Sequence, residues 1–278
     1  VFVLEIRDLW PEVLVAMGRL DEESVLFRGL RWLEKWLYRR ADHIVVLARG
    51  SAGSIADMGI DPNKISFIPN GAEPSDFNRP ETKAALRERF GLEGTVFVYA
   101  GAHGPANGLD LLLEAAEANQ RTNPQARFLL VGDGPSKEAL MDQAKLRGLE
   151  NVRFRDPVAK RDMPALLGAA DVGLHVLADV PLFRYGVSPN KLFDYMAAGL
   201  PVLTNVPGEV AAFVEKAGAG VATEPRGLAE GIARIVGSDE RVLEAWGESG
   251  RAYIEQHRSR VKLASTLQRV LDDLVSVD

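Results

Sequence analysis

The sequence predicts an α/β protein with parallel sheets, and three features of its apolar pattern support that fold class. Short apolar runs alternate with helix-period segments along most of the chain, which is typical of βαβ units. The run at 128–131, Phe-Leu-Leu-Val, is apolar throughout, as expected of a strand that is covered on both faces. Six such runs follow one another between residues 96 and 223. That number is enough for one complete, doubly wound Rossmann-like domain.

The individual elements follow from the same periodicities. Apolar runs bounded by turn residues predict strands at 1–6, 43–47, 65–68, 96–100, 128–131, 152–154, 172–176, 201–204 and 220–223. Apolar residues at helical spacing predict helices, most clearly at 109–121, 137–146, 192–198 and 228–236. The end of the chain, 257–277, is predicted as one amphipathic helix with Val261, Leu263, Ala264, Leu267, Val270, Leu271 and Leu274 on its apolar side.

A domain boundary is predicted near residues 69–80, where Pro, Asn, Gly, Ser and Asp concentrate without any periodicity. Only three strands precede it, which is half of a Rossmann-like sheet. We therefore expect a partial amino-terminal domain over 1–73, a complete domain over 74–256 and a separate final helix over 257–278. Because the chain opens with an apolar strand and no initiator Met, we also expect further residues to precede it.

The composition of the 278 residues excludes several classes of protein. The chain has no cysteine, which excludes a disulfide framework, a Cys-ligated zinc and a thiol nucleophile. With 33 basic and 39 acidic residues the formal net charge is -6, which argues against nucleic acid as a partner. No apolar run approaches the roughly 20 residues that cross a bilayer. The lack of cysteine fits a reducing compartment, so we expect a cytoplasmic location.

No metal site is predicted either. The four His residues are scattered without metal-ligand spacing, and the chain contains no Asp-x-Asp pair of the kind that holds Mg²⁺ on a nucleotide-sugar. His175, at the end of a predicted strand, is interpreted as a core or rim residue. The chain also lacks the Gly-x-Ser-x-Gly elbow of one large class of hydrolases.

The turn after the strand at 96–100 is the first candidate binding site, since open α/β sheets bind ligands beyond the carboxyl ends of their strands. Its residues include Gly101, Ala102, His103, Gly104 and Asn107. The glycines let the backbone approach a ligand, and free amides there could hold a phosphate. The alternative is a plain Gly-rich turn with His103 on the surface. The turn at 132–135, by contrast, is interpreted as a tight turn followed by a helix that Ser136 caps.

The segment that opens the helix near residue 190 is the second candidate. It contains Ser188, Pro189, Asn190, Lys191 and Asp194. A helix amino terminus offers unpaired amides and a partial positive charge, which suit a pyrophosphate. A lysine in the first turn opposes the helix dipole unless an anion binds there, and Asp194 could accept hydrogen bonds from a ribose diol. The alternative is that Lys191 and Asp194 form a surface ion pair, which contributes little.

The helix at 25–40 carries a basic stripe. Four basic residues fall on one arc and four leucines on the opposite arc, while two tryptophans flank the basic side: Arg28, Arg31, Lys35 and Arg39, then Leu26, Leu30, Leu33 and Leu37, then Trp32 and Trp36. Basic residues beside Trp favour peripheral contact with an anionic membrane, here the inner face of the plasma membrane. The alternative is a core-packed helix whose basic face is solvated.

Taken together, these residues resemble the retaining glycosyltransferases of family 4, and the likeness covers essentially the whole chain. The segments that carry the resemblance are Glu5-Ile6-Arg7-Asp8-Leu9-Trp10-Pro11, Ala41-Asp42-His43-Ile44-Val45-Val46, Ile68-Pro69-Asn70-Gly71, 101–108, Val131-Gly132-Asp133-Gly134-Pro135, Ala170-Asp171-Val172 and 188–199 followed by Pro201-Val202. The chain is most similar to bacterial enzymes of surface-polysaccharide synthesis (O-antigen, capsule), including the L-fucosamine-transferring type.

The resemblance implies a GT-B fold in which the carboxyl-terminal domain holds a UDP-sugar and the amino-terminal domain holds the acceptor. About 100 residues of the acceptor domain would then be missing, a typical half of such a unit, and the last helix would return to the first domain. The donor sugar would be an N-acetylated hexosamine or a 6-deoxyhexosamine. The acceptor would be a glycan or a polyprenyl-linked sugar, and transfer would retain the anomeric configuration without metal or cofactor.

The family's functional residues map unevenly onto this chain. Asp194 occupies the ribose-binding position of a usual pair of Glu residues, and Gly186 stands in place of the other. Ala102 and Asn107 occupy positions where many members place Arg and Lys on the pyrophosphate, so Lys191 is the remaining cation.

Two further segments have counterparts in the family. Arg7 and Asp8 stand where many members have a His before an Asp, which makes them, with Lys191, the catalytic candidates. Arg155, Pro157 and Val158 match the loop whose backbone reads the base.

Two alternatives remain open at this point. Non-hydrolysing UDP-sugar 2-epimerases share the fold, although the sequence offers no convincing set of acid and base side chains for that reaction. The chain could also bind nucleotide without turnover.

Overall fold

The computed structural model of the protein describes residues 1–276. Its strands are β1 (Val3–Ile6), β2 (His43–Val46), β3 (Ile65–Phe67), β4 (Thr95–Ala100), β5 (Ala126–Val131), β6 (Val152–Arg155), β7 (Val172–His175), β8 (Val202–Thr204) and β9 (Gly220–Ala222). Its helices are α1 (Glu12–Ala16), α2 (Val25–Arg40), α3 (Arg49–Asp57), α4 (Lys83–Phe90), α5 (Leu109–Thr122), α6 (Lys137–Leu146), α7 (Met163–Ala169), α8 (Asn190–Ala197), α9 (Glu209–Ala217), α10 (Leu228–Val236), α11 (Glu240–His257) and α12 (Arg260–Val275).

The predicted fold class is confirmed, because the strands form two parallel sheets. The first sheet has the order β1-β2-β3 and the second β6-β5-β4-β7-β8-β9. Every apolar run that predicts a strand forms one, within two residues at each end. Among the described residues, no helix is both long and apolar enough to cross a membrane.

The chain forms two compact units. The first comprises Val1–Gly71, Val180–Pro189 and the described residues from Arg260 onwards. The second comprises Ala72–Asp179 and Asn190–Ser259 and contains the complete six-stranded sheet. The domain bounds drawn from the sequence, 1–73, 74–256 and 257–278, stay a prediction about how the chain divides into independent domains.

The prediction of one final helix over 257–277 is wrong at its start. Helix α11 ends at His257, and α12 begins only at Arg260. Arg258 leaves the helical conformation at φ -137°, and its carbonyl accepts a hydrogen bond from the Ala72 amide over 3.2 Å. Val277 lies outside the described residues. No residue of α12 up to Ser276 is fully buried.

Each sheet contains the same two-bond link between parallel strands, built by an aspartate that follows an alanine. Asp42, just before β2, accepts from the Phe2 amide over 2.6 Å and donates its own amide to the Phe2 carbonyl over 2.8 Å. Asp171, just before β7, does the same with Val96, over 2.7 and 2.9 Å. Asp171 also pairs with Arg87 over 2.8 Å. These two acidic residues therefore help to align the sheets.

The buried face of α2 differs from the prediction. Its buried residues are Glu34 and Tyr38, and the Tyr38 hydroxyl donates to a Glu34 oxygen over 2.7 Å. Arg31 leaves the predicted basic stripe, because it forms ion pairs with Glu34, over 2.8 Å, and with Glu12. Two of the leucines assigned to the apolar arc, Leu26 and Leu33, face solvent, with 62% and 43% of their surface exposed. The expectation that all four leucines share one buried arc is therefore wrong.

Candidate functional site

The candidate site of the second unit lies where the strand order of the six-stranded sheet reverses. Strand β4 pairs with β5 on one side and with β7 on the other. The connections that leave β4 and β7 therefore run in opposite directions and open a crevice at their carboxyl ends. The turn after β4 and the helix that follows β7 carry most of the residues singled out in the sequence.

Lys191 reaches from the first turn of α8 to the turn after β4. Its Nζ donates to the Tyr99 hydroxyl over 2.8 Å and to Asn107 Oδ1 over 3.0 Å, and it lies 4.2 Å from the centroid of the Tyr99 ring. A methyl group added at Gly101 would lie 3.2 Å from Nζ, so the ammonium rests directly against that glycine. The structure thus brings Lys191, Gly101 and Asn107 together.

The position of α8 depends on Tyr195, a buried residue that the sequence analysis does not single out. Its hydroxyl accepts a hydrogen bond from the Ala100 amide, at the end of β4, over 2.8 Å. Its ring packs over Gly173 of β7, where any side chain would overlap the ring. Tyr195 therefore fixes the helix across both strands of the crevice, and Lys191, four residues earlier, projects toward the turn after β4.

The electrostatics of Lys191 are unusual. Burial lowers the pKa of Lys191 to about 8, because desolvation disfavours the charged form. Its two hydrogen-bond partners, a hydroxyl and an amide oxygen, are neutral and offer little compensation. A bound anion would supply the missing charge.

His103 is fully buried, so the alternative that places it on the surface is wrong. Its ring lies between Tyr99 and Phe154, at centroid distances of 5.9 and 6.0 Å. Burial lowers the pKa of His103, and Lys137 and Lys191 act in the same direction while Asp133 opposes them. Within residues 1–276 neither ring nitrogen has a hydrogen-bond partner.

The turn after β5 locks the turn after β4 in place. The His103 amide donates to the Asp133 carbonyl over 2.8 Å, and the Ser136 amide donates to the His103 carbonyl over 2.9 Å. The Ser136 side chain makes no capping bond to α6, which corrects the predicted cap. Gly132 and Gly134 have φ of 151° and 152°, and a side chain at either would overlap the backbone of the first turn.

The loop after β6 presents backbone rather than charge. The Arg155 guanidinium turns away to the Phe90 carbonyl, over 3.0 Å, and burial lowers its pKa. The Arg155 carbonyl accepts from the Gly132 amide over 3.1 Å, which joins this loop to the turn after β5. Pro157 is exposed and Val158 half-buried, so the backbone that follows Arg155 is accessible.

The remaining residues of the helix segment divide between the two units. Asn190, exposed, begins α8, and Asp194, half-buried, lies one turn further along. Ser188 and Pro189 belong to the first unit. There the Ser188 hydroxyl accepts from the Asn70 amide over 3.1 Å, and its carbonyl accepts from the Asn70 side chain over 2.9 Å.

In the first unit, Arg7 and Asp8 line a cavity of about 460 Å³ between β1 and α2. Burial raises the pKa of Asp8, and the neighbouring Arg7 guanidinium lowers it. Glu34 and Tyr38 line the same cavity. The sequence analysis missed Glu34, although its spacing of three residues from Arg31 and four from Tyr38 is a usable signal.

His175 is a core residue, in agreement with the interpretation from the sequence. It is fully buried, its Nδ1 lies 2.9 Å from the Thr204 hydroxyl, and burial lowers its pKa to about 3. No cluster of three or more His, Asp or Glu side chains suited to a metal occurs in the part of the chain that the structure describes.

Solved structures share this fold over nearly the whole chain. Anabaena Alr3699/HepE in complex with UDP aligns with a TM-score of 0.79 and 21% identity, over 98% of this chain and 72% of that one. Sucrose-phosphate synthase from Thermosynechococcus elongatus aligns with a TM-score of 0.79 and 19% identity, over 99% and 68%. The fold is therefore that of a GT-B glycosyltransferase.

Sequence comparisons give the family. A model described as "Glycosyl transferases group 1" matches residues 94–238, and one described as "Glycosyl transferase 4-like domain" matches 2–71. The chain belongs to the group 1 glycosyl transferases, and it is a glycosyltransferase sequence. A "Probable glycosyltransferase WbjE" of Pseudomonas aeruginosa is 31% identical over 271 residues, 93% of this chain and 64% of that protein. The mannosylfructose-phosphate synthase of Agrobacterium fabrum is 29% identical over 62% of this chain and 39% of its own length.

Proposed function

We propose that the second unit binds a UDP-sugar and that the protein transfers its sugar, with retention of configuration, to a glycan or polyprenyl-linked acceptor. The donor sugar is an N-acetylated hexosamine or a 6-deoxyhexosamine such as L-fucosamine, and the pathway builds a bacterial surface polysaccharide in the cytoplasm. The observation that carries the proposal is the largely buried Lys191 ammonium, held between neutral partners at the crevice. The UDP in the Anabaena neighbour supports the choice of nucleotide.

The diphosphate is the centre of the proposed site. Lys191, the amides of Gly101, Ala102 and Gly104 and the start of α8 at Asn190 provide positive charge and hydrogen-bond donors. Asn107 holds Lys191, and His103 fills the space behind the turn. As the glycosidic bond breaks, negative charge develops on the leaving diphosphate, and donors fixed in advance stabilise that charge. In this proposal a lysine does what a metal ion does elsewhere, and neither metal nor cofactor takes part.

The other site residues have roles around that centre. Asp194 accepts hydrogen bonds from the ribose hydroxyls, and the backbone of Arg155, Pro157 and Val158 reads the base. Arg7 and Asp8 contact the transferred sugar or the acceptor from the first unit. Ser188 and Pro189 complete the approach to α8.

Calorimetry with UDP, GDP and UMP tests the proposal. We expect UDP to bind at least tenfold more tightly than UMP, since Lys191 contacts the part of the ligand that UMP lacks. A melting curve on the same sample establishes that the protein is folded, and a folded protein that binds none of the three contradicts the proposal. Incubation with UDP-sugars then distinguishes sugar transfer from epimer interconversion and from binding without turnover.

Replacing Asp194 with Ala is expected to weaken UDP and uridine equally, by about 1.5–3 kcal/mol, the range for hydrogen bonds to a charged group. The ribose is common to both ligands, so the ratio of their dissociation constants stays constant. Asp142→Ala, an exposed acid on α6, is the matched control. An unchanged dissociation constant for Asp194→Ala would remove Asp194 from the site.

The affinity for UDP is expected to fall as the pH rises through about 8, the pKa of Lys191 in the free protein. Burial has lowered this pKa, so above it the free lysine is neutral, and binding the diphosphate requires the uptake of a proton. Lys191→Arg keeps its charge throughout and should flatten the profile between pH 7 and 9. A wild-type profile that is equally flat would show that no lysine ammonium takes part in binding.

A further inference from the structure

Helix α2 exposes an apolar face that its own unit does not cover. Val25, Leu26, Trp32, Leu33 and Trp36 are 84%, 62%, 67%, 43% and 48% exposed. At 100° per residue these positions fall on one continuous side of the helix, opposite the buried Glu34 and Tyr38. Scattered apolar residues on a surface need no explanation, but a contiguous patch with two tryptophans marks an interaction site.

The buried side of α2 keeps this face turned outward. Arg31 pairs with Glu12 and, over 2.8 Å, with Glu34, and the Glu34 carboxylate also accepts from the Tyr38 hydroxyl over 2.7 Å. A rotation that buried Trp32 and Trp36 would break these contacts and leave Glu34 without its partners. Separating a buried carboxylate from its partners is costly, so the rotation of the helix is fixed.

The charges beside the apolar face identify the occupant. Arg28 and Arg39 are exposed along the edge that adjoins Trp32, and Arg40 is exposed at the end of the helix. The only acidic residue within α2 is Glu34, on the buried side. This concentration of positive charge stands out in a chain with a net charge of -6. Tryptophan prefers the head-group level of a bilayer, and arginine beside it favours anionic lipid.

We infer that this face of α2 docks on an anionic lipid bilayer, with Trp32 and Trp36 at the head-group level and Arg28 and Arg39 against the lipid phosphates. Exposed acidic residues at 21–23 precede the helix, so the carboxyl-terminal half of α2 makes the closer contact. The inference deepens the proposed function, on which its biological meaning rests, because a polyprenyl-linked acceptor is presented at such a surface.

The absence of cysteine from the chain makes a direct test simple. The Leu33→Cys variant carries one environment-sensitive fluorophore, and the Leu146→Cys variant, at an exposed leucine in the second unit, is the matched control. We expect the emission of the label at position 33 to shift to shorter wavelength with vesicles of phosphatidylcholine and phosphatidylglycerol, and only weakly with phosphatidylcholine alone. The label at position 146 should not respond.

The arginine contribution is measured by vesicle co-sedimentation. At about fivefold in partitioning per arginine, the double variant Arg28→Gln, Arg39→Gln should bind roughly 25-fold more weakly at low salt. Arg121→Gln with Arg241→Gln, two exposed arginines of the second unit, should bind like the wild type. Trp32→Ala with Trp36→Ala should abolish binding without lowering the melting temperature, because both side chains are exposed.

Three outcomes would overturn the inference. They are no response of position 33 to anionic vesicles, an equal response of positions 33 and 146, and a response that depends on protein concentration without lipid, which would mean that a second copy covers the face. UDP binding is measured on the same samples. Loss of vesicle response with intact UDP binding refutes only the lipid surface, whereas vesicle binding without UDP binding refutes only the proposed function.

Discussion

Lys191→Met is expected to weaken UDP binding by about 10- to 100-fold and to leave uridine binding unchanged. The methionine keeps the length of the side chain but cannot donate to the diphosphate, and hydrogen bonds to charged groups contribute about 1.5–3 kcal/mol. Uridine has no phosphate, so it does not sense the change. Titration calorimetry of the two ligands measures the ratio directly.

The same variant should be at least as thermostable as the wild type, which is uncommon for a change at a largely buried position. Burial places the pKa of Lys191 at about 8, below its usual value, so the unfolded chain holds this proton more tightly than the native chain. Stability from this group therefore rises with pH above about 8, and at pH 7 the ammonium opposes folding. Removing it offsets the lost bonds to Tyr99 and Asn107.

Lys160→Met is the matched control, since Lys160 is exposed in the loop that precedes α7. It should change neither UDP affinity nor the melting temperature. Equal losses for UDP and uridine in Lys191→Met, or a large fall in its melting temperature, would indicate that Lys191 supports the fold instead of contacting the ligand.

Gly132→Ala is expected to destabilise the second unit by about 3 kcal/mol or more, and to abolish UDP binding at ordinary temperature. At φ 151° the backbone suits glycine alone, and a Cβ there would overlap the Gly101 carbonyl oxygen. Backbone cannot swing aside as a side chain can, and the Gly101 amide is bonded to the Val131 carbonyl over 2.9 Å. Strain of 1–3 kcal/mol is typical of such a backbone conformation alone, and the overlap adds to it.

Gly148→Ala separates the two contributions. Gly148 has φ 64°, but nothing lies within 4 Å of an added Cβ, so this variant carries conformational strain without overlap and should lose about 1 kcal/mol. Calorimetric unfolding of both variants gives the difference. If Gly132→Ala lost no more than Gly148→Ala, the contact between the two turns would be looser than the structure indicates.

The strands and the order of elements could be predicted because each depends on local information. Every buried run of the parallel sheets is apolar and bounded by turn residues, so periodicity alone finds it. The two errors in the helices have a common cause. The ion pairs of Arg31 decide which side of α2 is buried, and the bond between the Ala72 amide and the Arg258 carbonyl accompanies the break before α12. Both involve partners that are distant in sequence.

The candidate site shows the same division. Lys191 could be singled out because a cation in the first turn of a helix opposes the dipole, which is a local signal. Its partner Tyr99 lies 92 residues away, and the amide that Tyr195 binds lies 95 residues away. The Gly-Asp-Gly turn was interpreted as a simple turn because its role, to support the turn after β4, exists only once β4 and β5 are paired.

The paired aspartates have a consequence for how the sheets find their alignment. A strand shifted by one residue turns its buried side chains to the wrong face, so burial rejects that error, but a shift of two residues restores the pattern and escapes detection. The carboxylates of Asp42 and Asp171 each bind one particular amide of the neighbouring strand, Phe2 and Val96. They therefore act as alignment marks that distinguish the native register from its two-residue alternatives, once in each sheet.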